Sequence, residues 1–248
     1  MNRLRAWAGL ARKLLADRTG IAEARKALTA YYGMPAAECA CCGYQGRFVT
    51  YGRLARTAVQ CPACESIDRH RLVALAMQRG FFSVEGKHVL HLAPEPALAK
   101  LIADSGPASC EQGDIEPGPG ASRIDVEAID RPDGSYNVVL CFHVLEHVDD
   151  QRALAELHRV LAPGGVLLAM VPLIEGWPET YEDPALTSRA ERDAHFGQWN
   201  HLRWHGADFR DHLRGAGFEV EEFTAGGADS ARYRLRRGEK LFLGRKRA

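Results

Sequence analysis

From residue 87 onward the chain alternates short apolar runs with amphipathic stretches, and this alternation constrains the fold more than any other feature. His88-Val89-Leu90-His91-Leu92 reads as a short buried strand. A helix follows, with Pro96 near its first turn and Leu98, Leu101 and Ile102 on one face. One strand ends near Asp114 and another covers 123–126. Asp133-Gly134 turns the chain into a strong strand over 136–142. The next helix, about 150–162, buries Leu154, Leu157, Val160 and Leu161, and Ala162-Pro163-Gly164-Gly165 ends it. A strand over 166–171 precedes an irregular segment, 173–204, rich in Trp, His, Glu and Pro. A helix near 207–214 then leads to a strand over 218–223 and a last one near 239–245. Strands and helices alternating at this spacing predict an α/β fold with a parallel, doubly wound sheet.

The first third reads differently. Leu4, Trp7, Leu10, Leu14 and Leu15 recur at helical spacing within 3–31, and Gly33-Met34-Pro35 ends the run. That helix can dock on the sheet, pair with another chain or contact a membrane surface peripherally; docking or pairing fits better, because its charge is not gathered on one face. Residues 36–66 are rich in Cys and Gly, and helix returns over 67–79. The expected division is therefore an N-terminal amphipathic segment 1–35, a small module 36–66 and a main domain 67–248.

Five of seven cysteines fall between 39 and 64, and an odd total suits a disulfide framework poorly. Cys39-x-x-Cys42 and Cys61-x-x-Cys64 are two close pairs separated by 18 residues, the spacing of a zinc site. Four thiolates close the coordination shell, so the expected zinc is structural. Cys41 competes for a place in the first pair, but Gly43 after Cys42 favours Cys39 and Cys42. Cys110 and Cys141 read as small buried apolar residues.

Lys+Arg 32 balance Asp+Glu 32, which speaks against a protein devoted wholly to nucleic acid. Both ends are basic, while 111–150 carries ten carboxylates against Arg123 and Arg131. No apolar run reaches the roughly 18 residues of a membrane span. The basic start lacks the apolar core of a secretory signal, so with the thiol use a cytoplasmic location is expected.

In a doubly wound sheet, ligands bind beyond the carboxyl ends of the central strands. The loop after the first strand is Ala93-Pro94-Glu95-Pro96, with no Gly-x-Gly-x-x-Gly and no Lys-Ser/Thr phosphate cradle. Nicotinamide and flavin dinucleotides are thereby demoted. Glu95 either accepts hydrogen bonds from a ligand ammonium or stabilises its helix start. Asp114 and Asp125, at the ends of the second and third strands, together suggest a nucleoside site.

Residues 125–172 carry a more specific pattern. Asp133-Gly134-Ser135-Tyr136-Asn137-Val138-Val139, then His143-Val144-Leu145-Glu146-His147-Val148, then Leu161-Ala162-Pro163-Gly164-Gly165 closely resembles class I S-adenosylmethionine-dependent methyltransferases of the small-molecule, type-11-like branch. Over roughly 36–247 the chain is similar to a bacterial subgroup with a zinc-ribbon-like N-terminal module. The carrying motifs are Arg69-His70-Arg71, His91 to Glu95 and Phe196-Gly197-Gln198-Trp199-Asn200-His201-Leu202-Arg203. The resemblance implies a seven-stranded Rossmann-like sheet ordered 3-2-1-4-5-7-6 with the last strand antiparallel. It implies that Ala93, Pro94 and Glu95 hold the methionine end of S-adenosylmethionine, Asp114 the ribose, and Asp125 with Val126 the adenine. Phe142 and His143 would approach the sulfonium and the acceptor. His91 stands where the family has an acidic residue.

Methyl transfer is an in-line displacement, and a hydroxyl or acid acceptor needs a base. His143 is placed best for it, with His195 and His201 as further catalytic candidates in the segment over the acceptor. His147 reads as structural. The spacing of His195, His201 and His205 gives little reason for a metal site. The expected acceptor is a small molecule or glycan, polar or anionic. An RNA acceptor is disfavoured because Cys141-Phe142-His143-Val144 stands where amino-methylating nucleic-acid enzymes carry Asn/Asp-Pro-Pro-Tyr/Phe. A binding scaffold with a degenerate cofactor loop is the alternative outside enzymes.

Overall fold

The computed structural model describes residues 36–52 and 56–248. The helix expected over 3–31 lies outside the described residues. Two short hairpins open the described chain, each running into a cysteine knuckle. β1 (Ala37–Glu38) pairs with β2 (Gln45–Gly46) around the first, and β3 (Val49–Tyr51) with β4 (Arg56–Gln60) before the second. In the first knuckle Cys39 N–H donates to Tyr44 O and Gly43 N–H to Cys39 O, both at 2.8 Å. Gly43 accepts the left-handed φ of +74° that this reversal needs. Helix α1 (Asp68–Gln78) follows and buries Leu72, Val73, Leu75 and Ala76.

The main sheet contains β5 (His88–Leu92), β6 (Ser109–Asp114), β7 (Ser122–Arg123), β8 (Tyr136–Phe142), β9 (Leu161–Met170), β12 (Phe218–Phe223) and β13 (Leu241–Lys246). Its spatial order is β12-β13-β9-β8-β5-β6-β7, and only β13 runs against its neighbours β9 and β12. This is the 3-2-1-4-5-7-6 order expected from the resemblance.

The sheet is covered on both faces, which is why its central strands read as continuous apolar runs. Val138, Leu140 and Phe142 of β8 face one core together with Leu72 and Leu75 of α1 and Leu98 and Ile102 of α2 (Pro96–Asp104). Val139 and Cys141 face the other core, with Leu154 and Leu157 of α3 (Asp150–Val160) and Phe209 and Leu213 of α5 (Phe209–Gly215). Asp149 caps α3 by accepting from Arg152 N–H at 3.1 Å.

Three local expectations are corrected. The third strand is two residues, Ser122–Arg123, because Asp125 turns the chain: its Oδ1 accepts from Glu127 N–H at 2.9 Å. The helix after β8 stops at Val160, and β9 already begins at Leu161. Segment 173–204 is ordered: β10 (Tyr181–Glu182) pairs with β11 (Arg203–Trp204), and α4 (Arg189–Phe196) lies between them. A further helix, α6 (Gly227–Arg232), precedes β13.

Candidate active site and cysteine cluster

The strand order reverses between β5 and β8, and the residue following each is strained. Ala93 sits at φ +46° and His143 at φ +55°, a region non-glycine residues seldom occupy. Both are pinned: Ala93 N–H donates to Gly113 O and His143 N–H to Met170 O, each at 2.8 Å. Below them His91 is 1% exposed and meets Phe142 edge-on, with ring centroids 6.4 Å apart. Its Nδ1 is buried with no hydrogen-bond partner among the described residues. Burial pushes its pKa down to about 4, so it is neutral at pH 7.

Glu95 is not open to an incoming ammonium. Arg69 donates to it through Nε at 2.9 Å and Nη2 at 2.6 Å, and His70 Nε2 lies 2.7 Å from Oε2. Ile67 N–H donates to His70 Nδ1 at 3.3 Å, which leaves the ring proton on Nε2 for Glu95. Burial works to raise the Glu95 pKa, but these partners outweigh it and hold it at about 2. The Arg69-His70-Arg71 motif is thus a brace. Pro94 stands half-buried between Ala93 and Glu95.

Asp114, at the end of β6, is half-buried and uses one oxygen to accept from Glu116 N–H at 2.9 Å. Asp125 is exposed, and Val126 is buried in the core beneath it.

Beyond β8 a 3-10 turn, Leu145–His147, gathers a second group of side chains. His143 Nδ1 lies 3.2 Å from Oε1 of Glu146, which is 1% exposed. His143 Nε2 and Glu146 Oε2 are buried without partners among the described residues. His147 stacks edge-on against His201, centroids 4.7 Å apart, and Leu202 N–H donates to Glu146 O at 2.8 Å. The structure therefore brings His143 and His201 to one carboxylate. His195 stands apart, exposed on α4 and 2.6 Å from Tyr181 Oη. Glu146 and His147 are missing from the sequence-derived site, although His143-x-x-Glu146-His147 has the spacing that puts three side chains on one side of a helical turn. A second group joins Asp150, His205 and His212, with Arg203 Nη1 at 3.1 Å from Asp150 Oδ1.

Beside α1, Cys39, Cys42, Cys61 and Cys64 converge, their sulfurs all within 4.8 Å of one another. Cys39 and Cys64 are 3.6 Å apart, Cys42 and Cys61 3.7 Å. A tetrahedron with metal–sulfur bonds of about 2.3 Å has edges of about 3.8 Å, so this is the spacing of an S4 metal shell. Cys41 is not one of the four. Hydrogen bonds from Cys41 and Ser66 lower the Cys39 pKa to about 3, against the effect of burial.

A methyltransferase-domain family model matches residues 61–222. A probable S-adenosylmethionine-dependent methyltransferase of Mycolicibacterium smegmatis is 35% identical over 92 residues, 37% of this chain and 32% of that protein. The chain thus aligns with about a third of that relative's length. Among solved structures, an S-adenosylmethionine-dependent methyltransferase from Mesorhizobium loti superposes with a TM-score of 0.51 at 16% identity, over 71% of this chain and 98% of that one. A Burkholderia thailandensis 1,6-didemethyltoxoflavin N1-methyltransferase, bound to its substrate and S-adenosylhomocysteine, gives 0.51 at 15% identity, over 71% and 76%. With the sheet order, the strained strand ends and a match over more than half its length, the chain belongs to the methyltransferase-domain family and has the class I methyltransferase fold.

Proposed function

We propose that the protein transfers a methyl group from S-adenosylmethionine to an oxygen of a small-molecule or glycan-type acceptor that carries negative charge. The observation that carries this reading is the His143–Glu146 pair at the strained end of β8. His143 Nδ1–H donates to Glu146 and leaves the buried Nε2 to take the acceptor's proton. Burial works most strongly against ionisation of Glu146, but the hydrogen bond and charge of His143, its own backbone N–H and the nearby His147 together outweigh that and lower its pKa. It therefore faces the imidazolium as a carboxylate.

The crevice suits the cofactor. Left-handed Ala93 bends the loop at the β5 end, His91 offers an unpaired buried nitrogen, and Asp114 keeps one oxygen outside its own turn. In this reading Ala93, Pro94 and the braced Glu95 shape the methionine end. Asp114 holds the ribose, Asp125 and Val126 the adenine edge, and Phe142 the wall beside the sulfonium. S-adenosylmethionine supplies a methyl group activated by cationic sulfur. The protein's contribution is alignment and a base. Arg236, Arg237 and Lys240 line a small cavity just past β9 together with Glu175, Glu239, Val171 and Leu173, and the one cation in excess there favours an anionic acceptor.

The cysteine cluster holds structural zinc, making 36–66 a metal-stapled module on a catalytic domain, 67–248. Its thiol use suits the reducing cytoplasm. Among the described residues no helix is long and apolar enough to cross a membrane.

Calorimetric titration with S-adenosylhomocysteine tests the reading. Saturable one-site binding is expected, weakened at least about tenfold, or 1.4 kcal/mol, in Asp114→Ala with the fold retained. A folded, zinc-loaded protein that binds none overturns it and favours a scaffold, an alternative for which the engagement of Glu95 by Arg69 and His70 speaks.

A further inference from the structure

Glu146, His147 and His201 can each present one ligand atom, and those atoms lie within 4.8 Å of one another. Each side chain is held from behind. Glu146 Oε1 faces His143 at 3.2 Å. His147 Nδ1 lies 3.0 Å from Asn200 O, so it donates there and its Nε2 keeps a lone pair. His201 is hydrogen-bonded to the backbone of Phe196, while its buried Nδ1 has no partner among the described residues. Glu146 Oε2, on a side chain 1% exposed, is likewise left without one. A buried carboxylate oxygen and an imidazole lone pair facing each other unpaired are costly. A cation between them resolves both.

Two imidazoles and one carboxylate form a donor set for divalent transition metals. Backbone carbonyls on the far ring nitrogens are the support such ligands receive. The neighbouring Asp150 cluster also holds a buried imidazole without hydrogen-bond partners, His205, but its carboxylate is not free. There Arg203 lies 3.1 Å from one carboxylate oxygen and His212 Nδ1 2.9 Å from the other, so Asp150 is already satisfied and a cation is already present.

We infer that Glu146, His147 and His201 bind a divalent first-row transition-metal ion, distinct from the ion of the cysteine cluster. Three protein ligands leave coordination positions open for an oxygen of the acceptor beside His143 Nε2. That use rests on the methyl-transfer reading; the binding of the ion does not. The ion also ties the 198–203 segment to the end of β8, so an acceptor is held from both sides.

The probe is Co2+, titrated into the full chain with its cysteine site saturated by zinc. One further equivalent is expected to bind, with weak visible bands and no thiolate charge-transfer band. His201→Ala and Glu146→Gln each lower that affinity at least tenfold, while one zinc per chain and the far-ultraviolet circular dichroism persist. His205→Ala binds cobalt as the wild type does. No cobalt uptake beyond the cysteine site, or unaltered uptake in His201→Ala, overturns the inference. Titration of the same samples with S-adenosylhomocysteine separates the two failures: cofactor binding without cobalt sinks the metal site alone, and cobalt without cofactor sinks methyl transfer alone.

Discussion

Glu95 shows how far one carboxylate's role depends on its partners. Its place at the head of α2 is legible in the sequence, but its partners are not: Arg69 and His70 lie 26 and 25 positions upstream and reach it only once α1 has packed. Because its folded pKa is held at about 2, below the ordinary 4.5, the ionised pair stabilises the protein fully above pH 4.5 and progressively less as pH falls towards 2. Glu95→Gln removes a charge-assisted fork, expected to cost about 1.5–3 kcal/mol at pH 7. Urea melts of variant and wild type should differ most at neutral pH and converge near pH 2. A difference that does not change with pH would refute the brace. His143 and Asp114 lie where strand ends were readable from apolar runs. Glu146, His147 and His201 became neighbours through a long connection whose path local patterning does not encode. His195, from the same connection, was carried to its outer surface.

The same limit holds for whole elements. The helices behind the sheet show their apolar stripes in sequence because they bury them: Ala153, Leu154, Leu157 and Val160 line α3. Helix α4 buries only Phe196, so it has no stripe to read. Its signals are at its ends. Ser188 Oγ accepts from Glu191 N–H at 3.3 Å, Glu191 reaches back to Ser188 N–H at 3.0 Å, and Gly197 closes the helix at φ +76°. With so little burial, the capping box matters more here than in α3. Ser188→Ala is expected to cost about 1 kcal/mol locally, speeding amide exchange across 189–197 about fivefold. The global urea midpoint should stay put, since the body's core does not include this helix. Unchanged exchange there would show that packing on Phe196 alone holds the segment.

At the scale of the molecule, the cysteine module and the crevice are joined through α1, whose first turn serves both. Arg71 is fully buried and donates to Ser66 O at 2.9 Å, Tyr233 O at 2.7 Å and Arg234 O at 2.9 Å, while lying 4.5 Å over the Phe48 ring. Two residues earlier in that turn, Arg69 holds Glu95 at the mouth of the crevice. Glu38 of the module also pairs with Arg232 of α6 at 2.8 Å. The module, α1 and the segment before β13 are therefore one braced unit, which neither the cysteine spacing nor the strand alternation announces separately. Loss of the metal should propagate along this brace. Cys61→Ser is expected to abolish zinc at the cysteine cluster and to lower the melting temperature. It should also weaken S-adenosylhomocysteine binding, because the Ser66 carbonyl that anchors Arg71 follows directly on the second knuckle, where Cys61 N–H donates to Ser66 O at 2.9 Å. Elemental analysis, thermal melts and calorimetry on one preparation check the three together. Full zinc occupancy in Cys61→Ser would refute the metal assignment. Zinc loss with unchanged cofactor affinity would show instead that α1 holds the Glu95 loop without help from the module.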